Sequence, residues 1–111
     1  MPDQTMKVMF DPGANPQFTF DPPPGDVTMS AAGKIIFNRS PGSASWKFTG
    51  GDVKRDVMDE FTPSVHGNGS SLHIDDQFKD VERTEYEYFL TVELNGTSYT
   101  SPDPKIVNDP P

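Results

Sequence analysis

Cysteine is absent from this 111-residue chain, and its absence removes two classes of site. Without a thiol there is no disulfide framework, and a blue-copper centre, which needs a thiolate beside two imidazoles, is excluded. Long apolar runs are also missing, since no stretch reaches the roughly 18 apolar residues typical of a membrane-spanning helix. The first residues lack the basic and apolar regions of a secretory signal. The sequence carries no signal for a location, and we expect a cytoplasmic protein without a membrane segment by default, unless a leader sequence has been removed.

Positive charge is scarce. Lys and Arg number 9 against 17 Asp and Glu, which gives a formal net charge of −8 and a pI near 4.4. A chain of this charge repels phosphate backbones and anionic bilayers, whose binding depends on Lys and Arg. Nucleic acid and membrane surfaces are therefore excluded as expected partners.

Residues that favour helices are few as well. The chain has 4 Ala and 3 Leu against 33 Val, Ile, Thr, Phe, Tyr and Trp, which suit a pleated, half-buried surface. Twelve Pro and nine Gly interrupt nearly every window long enough for several helical turns. The length fits one compact unit. These features predict a single all-β domain over residues 1–111, with residues 108–111 as a flexible tail.

The strongest local pattern predicts a hairpin over residues 84–100. Apolar side chains alternate with polar ones from Tyr86 to Leu94 with the period of two that is typical of a strand. Asn95-Gly96 suits the two positive φ angles of a type I′ turn. In the resulting register Leu94 lies opposite Thr97, and Val92 lies opposite Tyr99.

Further short strands are predicted near residues 5–10, 18–20, 27–29, 34–37, 45–49 and 72–74, with a terminal edge strand at 106–107. Trp46 and Phe48 share one face of their strand. Residues 52–61 fit a strand or a helix, and we favour a strand that runs into a loop. Residues 77–82 are predicted to form one helical turn. Seven to nine short strands with turns between them are typical of an antiparallel β-sandwich.

Four short segments resemble a known family. The Asp-Pro dipeptides at positions 11–12 and 21–22, the strand at 86–92 and the ending at 103–108 are similar to the DP-EP family, a small bacterial group with no assigned activity. The resemblance implies an immunoglobulin-like or cupredoxin-like β-sandwich, and it carries over no functional residue. In immunoglobulin-like domains a tyrosine hydrogen-bonds back across a corner, and Tyr86 stands in a similar place.

A divalent-cation site is the alternative functional hypothesis. His66 and His73 lie close in sequence to Asp75, Asp76 and Asp80, so nitrogen and oxygen ligands for calcium or zinc are present. These residues lack the spacing of an EF-hand or of a zinc motif. We therefore favour solvated histidines and turn aspartates, and expect no metal and no other cofactor.

Hydrolytic chemistry has no supporting motif. Ser, His and Asp are all present, but the Gly-x-Ser-x-Gly elbow of a hydrolase is not. We therefore expect a domain that is not an enzyme.

The remaining candidate is a surface for another protein. Alternation places Phe89 together with Glu85, Glu87 and Glu93 on the face opposite Tyr86. An aromatic side chain with an acidic rim is expected to prefer a basic or apolar protein surface. The leading hypothesis is thus a β-sandwich interaction or structural module, for which the sequence carries no signal of oligomeric state.

Overall fold

The computed structural model describes residues 3–40, 46–102 and 104–111, and over these residues the chain forms a β-sandwich. The predicted fold class is confirmed. Ten strands make two packed sheets, and a short 3₁₀ helix, Gly67–Gly69, lies between two of them. The strands are β1 (Gln4–Phe10), β2 (Phe18–Asp21), β3 (Val27–Met29), β4 (Gly33–Arg39), β5 (Lys47–Val53), β6 (Phe61–His66), β7 (Ser71–Asp76), β8 (Thr84–Leu94), β9 (Thr97–Thr100) and β10 (Lys105–Asn108).

The first sheet has the order β2-β1-β4-β7-β6, and the second has the order β3-β10-β8-β5, with β9 also paired to β8. Most neighbours are antiparallel, as predicted, but β1 with β4 and β10 with β3 are parallel. Parallel neighbours need a long crossover connection. The chain supplies one between β1 and β4 by passing from β2 in the first sheet to β3 in the second and back.

Alternation of side chains builds the core between the sheets. On β1 the inward residues Met6, Val8 and Phe10 are buried while their neighbours are exposed. Trp46 and Phe48 are both buried on the inner face, which confirms their predicted common side. Their rings meet edge to face with centroids 5.0 Å apart, an arrangement that aromatic pairs prefer.

The predicted hairpin is confirmed. Asn95 has φ +53° and Gly96 has φ +80°, the two positive angles of a type I′ turn. Val92 pairs with Tyr99 and Leu94 pairs with Thr97, the predicted register.

The segment 52–61 is a strand end followed by a loop, as favoured from the sequence. Strand β5 ends at Val53 and β6 begins at Phe61. The Asp56 carboxylate closes the loop by accepting hydrogen bonds from the backbone N–H groups of Glu60 and Phe61, at 2.9 and 3.0 Å. The strand predicted at 45–49 begins at Lys47, and residue 45 lies outside the described residues.

The helical turn predicted at 77–82 is wrong. No helix is assigned there, and Phe78 has φ +56°. The N–H groups of Phe78 and Lys79 donate to the side chains of Asp76 and Glu60 instead of to backbone carbonyls one turn earlier. Side-chain acceptors thus compete with the helix for the same donors.

The end of the chain also differs from expectation. Strand β10 is not an edge strand, because it lies between β3 and β8. Asn108, assigned from the sequence to a flexible tail, is the last residue of β10 and is fully buried. Among the described residues, no helix has the length and apolar character needed to span a bilayer.

Candidate functional site

An apolar groove lies on the flank where β2 of the first sheet approaches β3 and β10 of the second. We call it the seam groove. Its volume is about 450 Å³, within the usual range for ligand pockets. The lining residues are Pro16, Phe18, Thr19, Phe20, Pro23, Pro24, Asp26, Pro102, Pro104 and Lys105.

The turn around Gly25 gives the seam groove its shape. Gly25 has φ +96°, and a Cβ at this position would lie 2.7 Å from the ring of Phe20, so only glycine fits without a shift of the ring. The buried Tyr88 hydroxyl donates a hydrogen bond to the Gly25 carbonyl oxygen. The Asp26 carboxylate accepts the backbone N–H of Lys105 at 2.9 Å, which joins this turn to β10.

A second site lies inside the sandwich. Unlike the apolar seam groove, it is built mainly from buried carboxylates. We call it the acid cluster: Glu60, Asp76, Asp80, Tyr86 and Asn108. Their relative exposures are between 0% and 7%. Both sheets contribute, with Asp76 from β7 and with Tyr86 and Asn108 from β8 and β10.

The acid cluster is joined by short polar contacts. The Tyr86 hydroxyl oxygen lies 3.0 Å from Glu60 Oε2 and 2.9 and 2.8 Å from the two carboxylate oxygens of Asp80. Asn108 Nδ2 lies 3.0 Å from Glu60 Oε1, 3.2 Å from Asp76 Oδ1 and 3.0 Å from Asp80 Oδ2. The second oxygen of Asp76 and the amide oxygen of Asn108 are buried without a protein partner.

Burial changes the acidity of these groups. Removal from water raises the pKa of Glu60, an effect that the Lys79 N–H opposes and the nearby Asp80 reinforces. Burial raises the pKa of Asp76 to about 6, with further increases from Glu60 and Asp80. The pKa of Tyr86 is raised as well, first by burial and then by the carboxylates of Asp80 and Glu60, which its hydroxyl contacts. Each shift favours the neutral form over a buried charge.

The predicted cation ligands are divided between two places. Asp76 and Asp80 lie in the acid cluster, whereas His66 and His73 stack on the outer face of the first sheet with ring centroids 3.9 Å apart. The interplanar angle is 20°, and because nitrogen lone pairs lie in the ring plane, those of the two rings lie in nearly parallel planes. Over the described ranges, no three His, Cys, Asp or Glu side chains are arranged to hold one metal ion.

The histidines themselves differ. Ser64 Oγ lies 2.9 Å from His66 Nε2, a hydrogen bond on the exposed surface. Burial lowers the pKa of His73, and the neighbouring His66 lowers it further. Its Nδ1 is buried without a protein partner.

The predicted protein-binding residues lie on the outer face of the second sheet. Phe89 is half-buried opposite Asp52 of β5, and it is not part of the core between the sheets. Glu85 pairs with Arg83 at 3.4 Å and with Lys105 at 3.6 Å. Glu93 pairs with Lys47 at 3.6 Å, and Glu87 lies opposite Lys105 in the strand register. Basic side chains therefore lie among the acidic residues that surround Phe89.

Sequence reasoning missed the roles of Glu60 and Asn108, and it missed the seam groove. A signal for part of the acid cluster is present in the alternation of neighbouring strands. Leu72 and Ile74 are inward residues, so Asp76 faces inward two positions later, and Ile106 predicts the same for Asn108.

In a comparison with known families, the model of the DP-EP family matches residues 3–110. The chain belongs to the DP-EP family. The resemblance seen in the sequence is therefore confirmed and extends over nearly the whole DP-EP chain. Comparison with curated proteins gave no match.

Proposed function

We propose that this domain is a non-enzymatic interaction module that binds an extended, basic segment of another protein along the seam groove. The observation that carries the proposal is the position of an apolar, proline-lined groove directly beside the edge strand β2. The seam groove replaces the surface around Phe89 as the binding site, because Lys and Arg side chains form ion pairs with two of the acidic residues near Phe89.

The edge of β2 supplies the polar half of the site. In the part of the chain that the structure describes, β2 pairs with β1 alone. Its other edge therefore presents backbone groups to which an extended peptide can add as a further strand. Main-chain pairing would give affinity with little demand on sequence.

The seam groove supplies the apolar half. Its volume of about 450 Å³ accommodates one or two large side chains of an added segment. Five of its lining residues are prolines, whose side chains lose almost no rotamer entropy on burial. A groove with rigid walls lowers the ordering cost of binding.

Charge determines which segment fits. The domain carries a net charge of −8, and the exposed carboxylates of Asp11, Asp21 and Asp26 lie around β2 and the seam groove. Opposite charges speed association and disfavour acidic competitors. The occupant is therefore a strand-forming segment with a large apolar residue flanked by Lys or Arg.

The acid cluster supports a module that is not an enzyme. Its five side chains are nearly inaccessible to solvent, so they present almost no surface on which a substrate could bind. For the same reason, and because the histidines are stacked elsewhere, we do not extend the proposal to the cation-binding alternative.

Within the sandwich class we favour the cupredoxin-like over the immunoglobulin-like alternative. The support is the pair of parallel neighbours, β1 with β4 and β10 with β3, which differ from the antiparallel sheets of immunoglobulin domains.

The test uses a short synthetic peptide in which Thr and Lys alternate around a central Trp, added to the isotope-labelled domain. We expect amide shifts at Phe18–Phe20 and Lys105, and a Kd that rises by about tenfold or more for Pro102→Lys, since a charge of the same sign as the peptide is introduced into the apolar groove. Val81→Lys is the matched control, because Val81 is 90% exposed and outside the groove.

Two outcomes contradict the proposal. Shifts centred on Phe89 and Glu87 would place binding on the outer face of the second sheet. Concentration-dependent self-association through β2 in the absence of peptide would assign the seam groove to a second copy of the chain. A peptide with Glu in place of Lys should bind more weakly, with a smaller dependence on salt.

A further inference from the structure

The acid cluster contains fewer hydrogens than its contacts require. Eight contacts join carboxylate oxygens of Glu60, Asp76 and Asp80 to the Tyr86 hydroxyl, the Asn108 amide and two backbone N–H groups. The hydroxyl has one hydrogen, the amide has two and each N–H has one. Five hydrogens therefore serve these eight contacts.

The shortage is most severe at the Tyr86 hydroxyl. Its oxygen is within 3.0 Å of carboxylate oxygens from both Glu60 and Asp80, yet it can donate to only one residue. Two oxygens this close without a hydrogen between them repel each other. One of the two carboxyl groups must therefore donate to the hydroxyl oxygen, and this requires a proton on the carboxyl.

The contacts allow either carboxyl to donate, and burial identifies Glu60: it is 0% exposed against 6% for Asp80, so a charge on Glu60 is the more costly. Glu60 Oε1 already accepts the Lys79 N–H at 3.0 Å and faces the Asn108 amide, so its hydrogen bonds come from groups that only donate. Glu60 Oε2 has Tyr86 as its only hydrogen-bond partner within the described residues. A proton on Oε2 donates to the Tyr86 oxygen, and the Tyr86 hydrogen remains for Asp80.

Nearby charges reinforce this arrangement. The charged groups that face Glu60 are the carboxylates of Asp76 and Asp80, from β7 and the segment that follows it, and Asp56 binds the Glu60 N–H from the preceding loop. The nearest basic side chain in this segment, Lys79, donates its ammonium to the Met58 carbonyl at 3.1 Å instead. A third buried negative charge is strongly disfavoured here.

We propose that the acid cluster is a proton site: the Glu60 carboxyl carries a proton in the folded domain at neutral pH, donates it to the Tyr86 hydroxyl, and loses it only as the segment 77–80 separates from the sandwich. The segment is attached at three points, because the N–H groups of Gln77, Phe78 and Lys79 donate to Glu60 or Asp76. Ionisation of Glu60 removes the hydrogen that it donates to Tyr86 and sets its negative charge against the carboxylate of Asp80 on this segment, which frees the segment.

Solvent has a route to this site. A surface cleft of about 600 Å³ is lined by Asp76 and Gln77, together with residues of β4 and β6. Asp76 and Gln77, which take part in two of the three attachments, therefore border water, and proton exchange needs only a local opening.

The direct test is a carboxyl carbon-13 titration of the unmodified domain, in which only five glutamates need assignment. We expect the Glu60 carboxyl signal to keep its protonated position at neutral pH. A midpoint near the ordinary value of 4.5 for Glu would overturn the proposal.

A variant that imitates the protonated Glu60 carboxyl provides a second test. Glu60→Gln places an NH₂ group where the protonated Oε2 lies and keeps a carbonyl oxygen for Lys79. We expect the folding equilibrium constant of the unmodified domain to fall by up to about tenfold per pH unit above the ordinary Glu value of 4.5 while the folded domain keeps the Glu60 proton. That of Glu60→Gln should fall less, by the contribution of Asp76 alone. Glu82→Gln, an exposed change two residues after the segment 77–80, should keep the unmodified slope.

Hydrogen exchange reports the release itself. The amides of Phe78 and Lys79 should lose protection as the pH rises through the midpoint, and Glu60→Gln should retain it. Equal protection in both proteins would overturn the coupling to this segment. A large rise in Tm on addition of calcium would overturn the proton assignment, because the bound ligand would then be a metal ion.

Discussion

Tyr88 on β8 and Gly25 in the turn before β3 are joined by a hydrogen bond from the tyrosine hydroxyl to the glycine carbonyl oxygen. Tyr88 is fully buried, and its ring packs on Phe37 of the first sheet with centroids 5.3 Å apart. One side chain thus connects both sheets with the turn that shapes the seam groove.

Removal of this hydroxyl should lower stability and loosen the seam groove together. Tyr88→Phe leaves the buried Gly25 carbonyl without its donor, and an unsatisfied buried group costs about 1–3 kcal/mol. Equilibrium denaturation measures the loss, and amide shifts at Phe18–Phe20 report the groove. Tyr99→Phe is a control on the half-buried hairpin rim. An equal loss in both variants would show that the Gly25 contact contributes nothing particular.

The hairpin turn gives a second prediction. Gly96 has φ +80° and no atom within 4 Å of an added Cβ, so a substitution there tests backbone strain without a steric clash. Gly96→Val should destabilise the domain by more than about 1 kcal/mol, because a β-branched residue is strained at positive φ. Gly96→Asn should cost less, since Asn tolerates this region. The denaturation midpoints of the two variants are compared, and equal midpoints would show that backbone strain at residue 96 does not determine the loss.

The hairpin and the acid cluster show why sequence predicts one feature and not the other. The pairing of Leu94 with Thr97 follows from a two-residue turn, so adjacent residues determine it. The contact between Glu60 and Asn108 spans 48 positions. It depends on β10 lying between β3 and β8, and short apolar strands do not encode their neighbours in the sheet.

The seam groove could not be predicted from the sequence for the same reason. Its prolines come from separate parts of the chain, near residues 16, 23 and 102. Each one is typical of a local turn, and only the approach of β2 to β3 and β10 brings them to one surface. The inward direction of Asp76 was predictable from alternation, but its partners were not.

The position of Phe89 leads to a third prediction. Its side chain is half-buried on the outer face of the second sheet and outside the core. Phe89→Ala should therefore cost much less stability than Phe48→Ala, whose ring is 1% exposed, because removal of a core Phe typically costs about 3–5 kcal/mol. Urea denaturation of both variants provides the comparison. Similar losses would show that a further layer covers the outer face.

Asp76 gives a prediction about pH. Its pKa is raised from 3.8 to about 6, mainly by burial, so the folded domain binds this proton more tightly than the unfolded chain does. The resulting stability is fully present below about pH 3.8 and is lost as the pH rises through about 6. The difference of about two units corresponds to about 3 kcal/mol.

Asp76→Asn isolates this contribution, since the amide cannot ionise and keeps an oxygen for the Phe78 N–H. The free energy of unfolding of the unmodified domain, minus that of Asp76→Asn, should fall between about pH 4 and pH 6 and level off above it. Asp75→Asn, one position along β7 on its outer face, is the matched control for the loss of one charge. The same pH dependence in the Asp75→Asn difference would mean that the effect comes from net charge and not from the buried site.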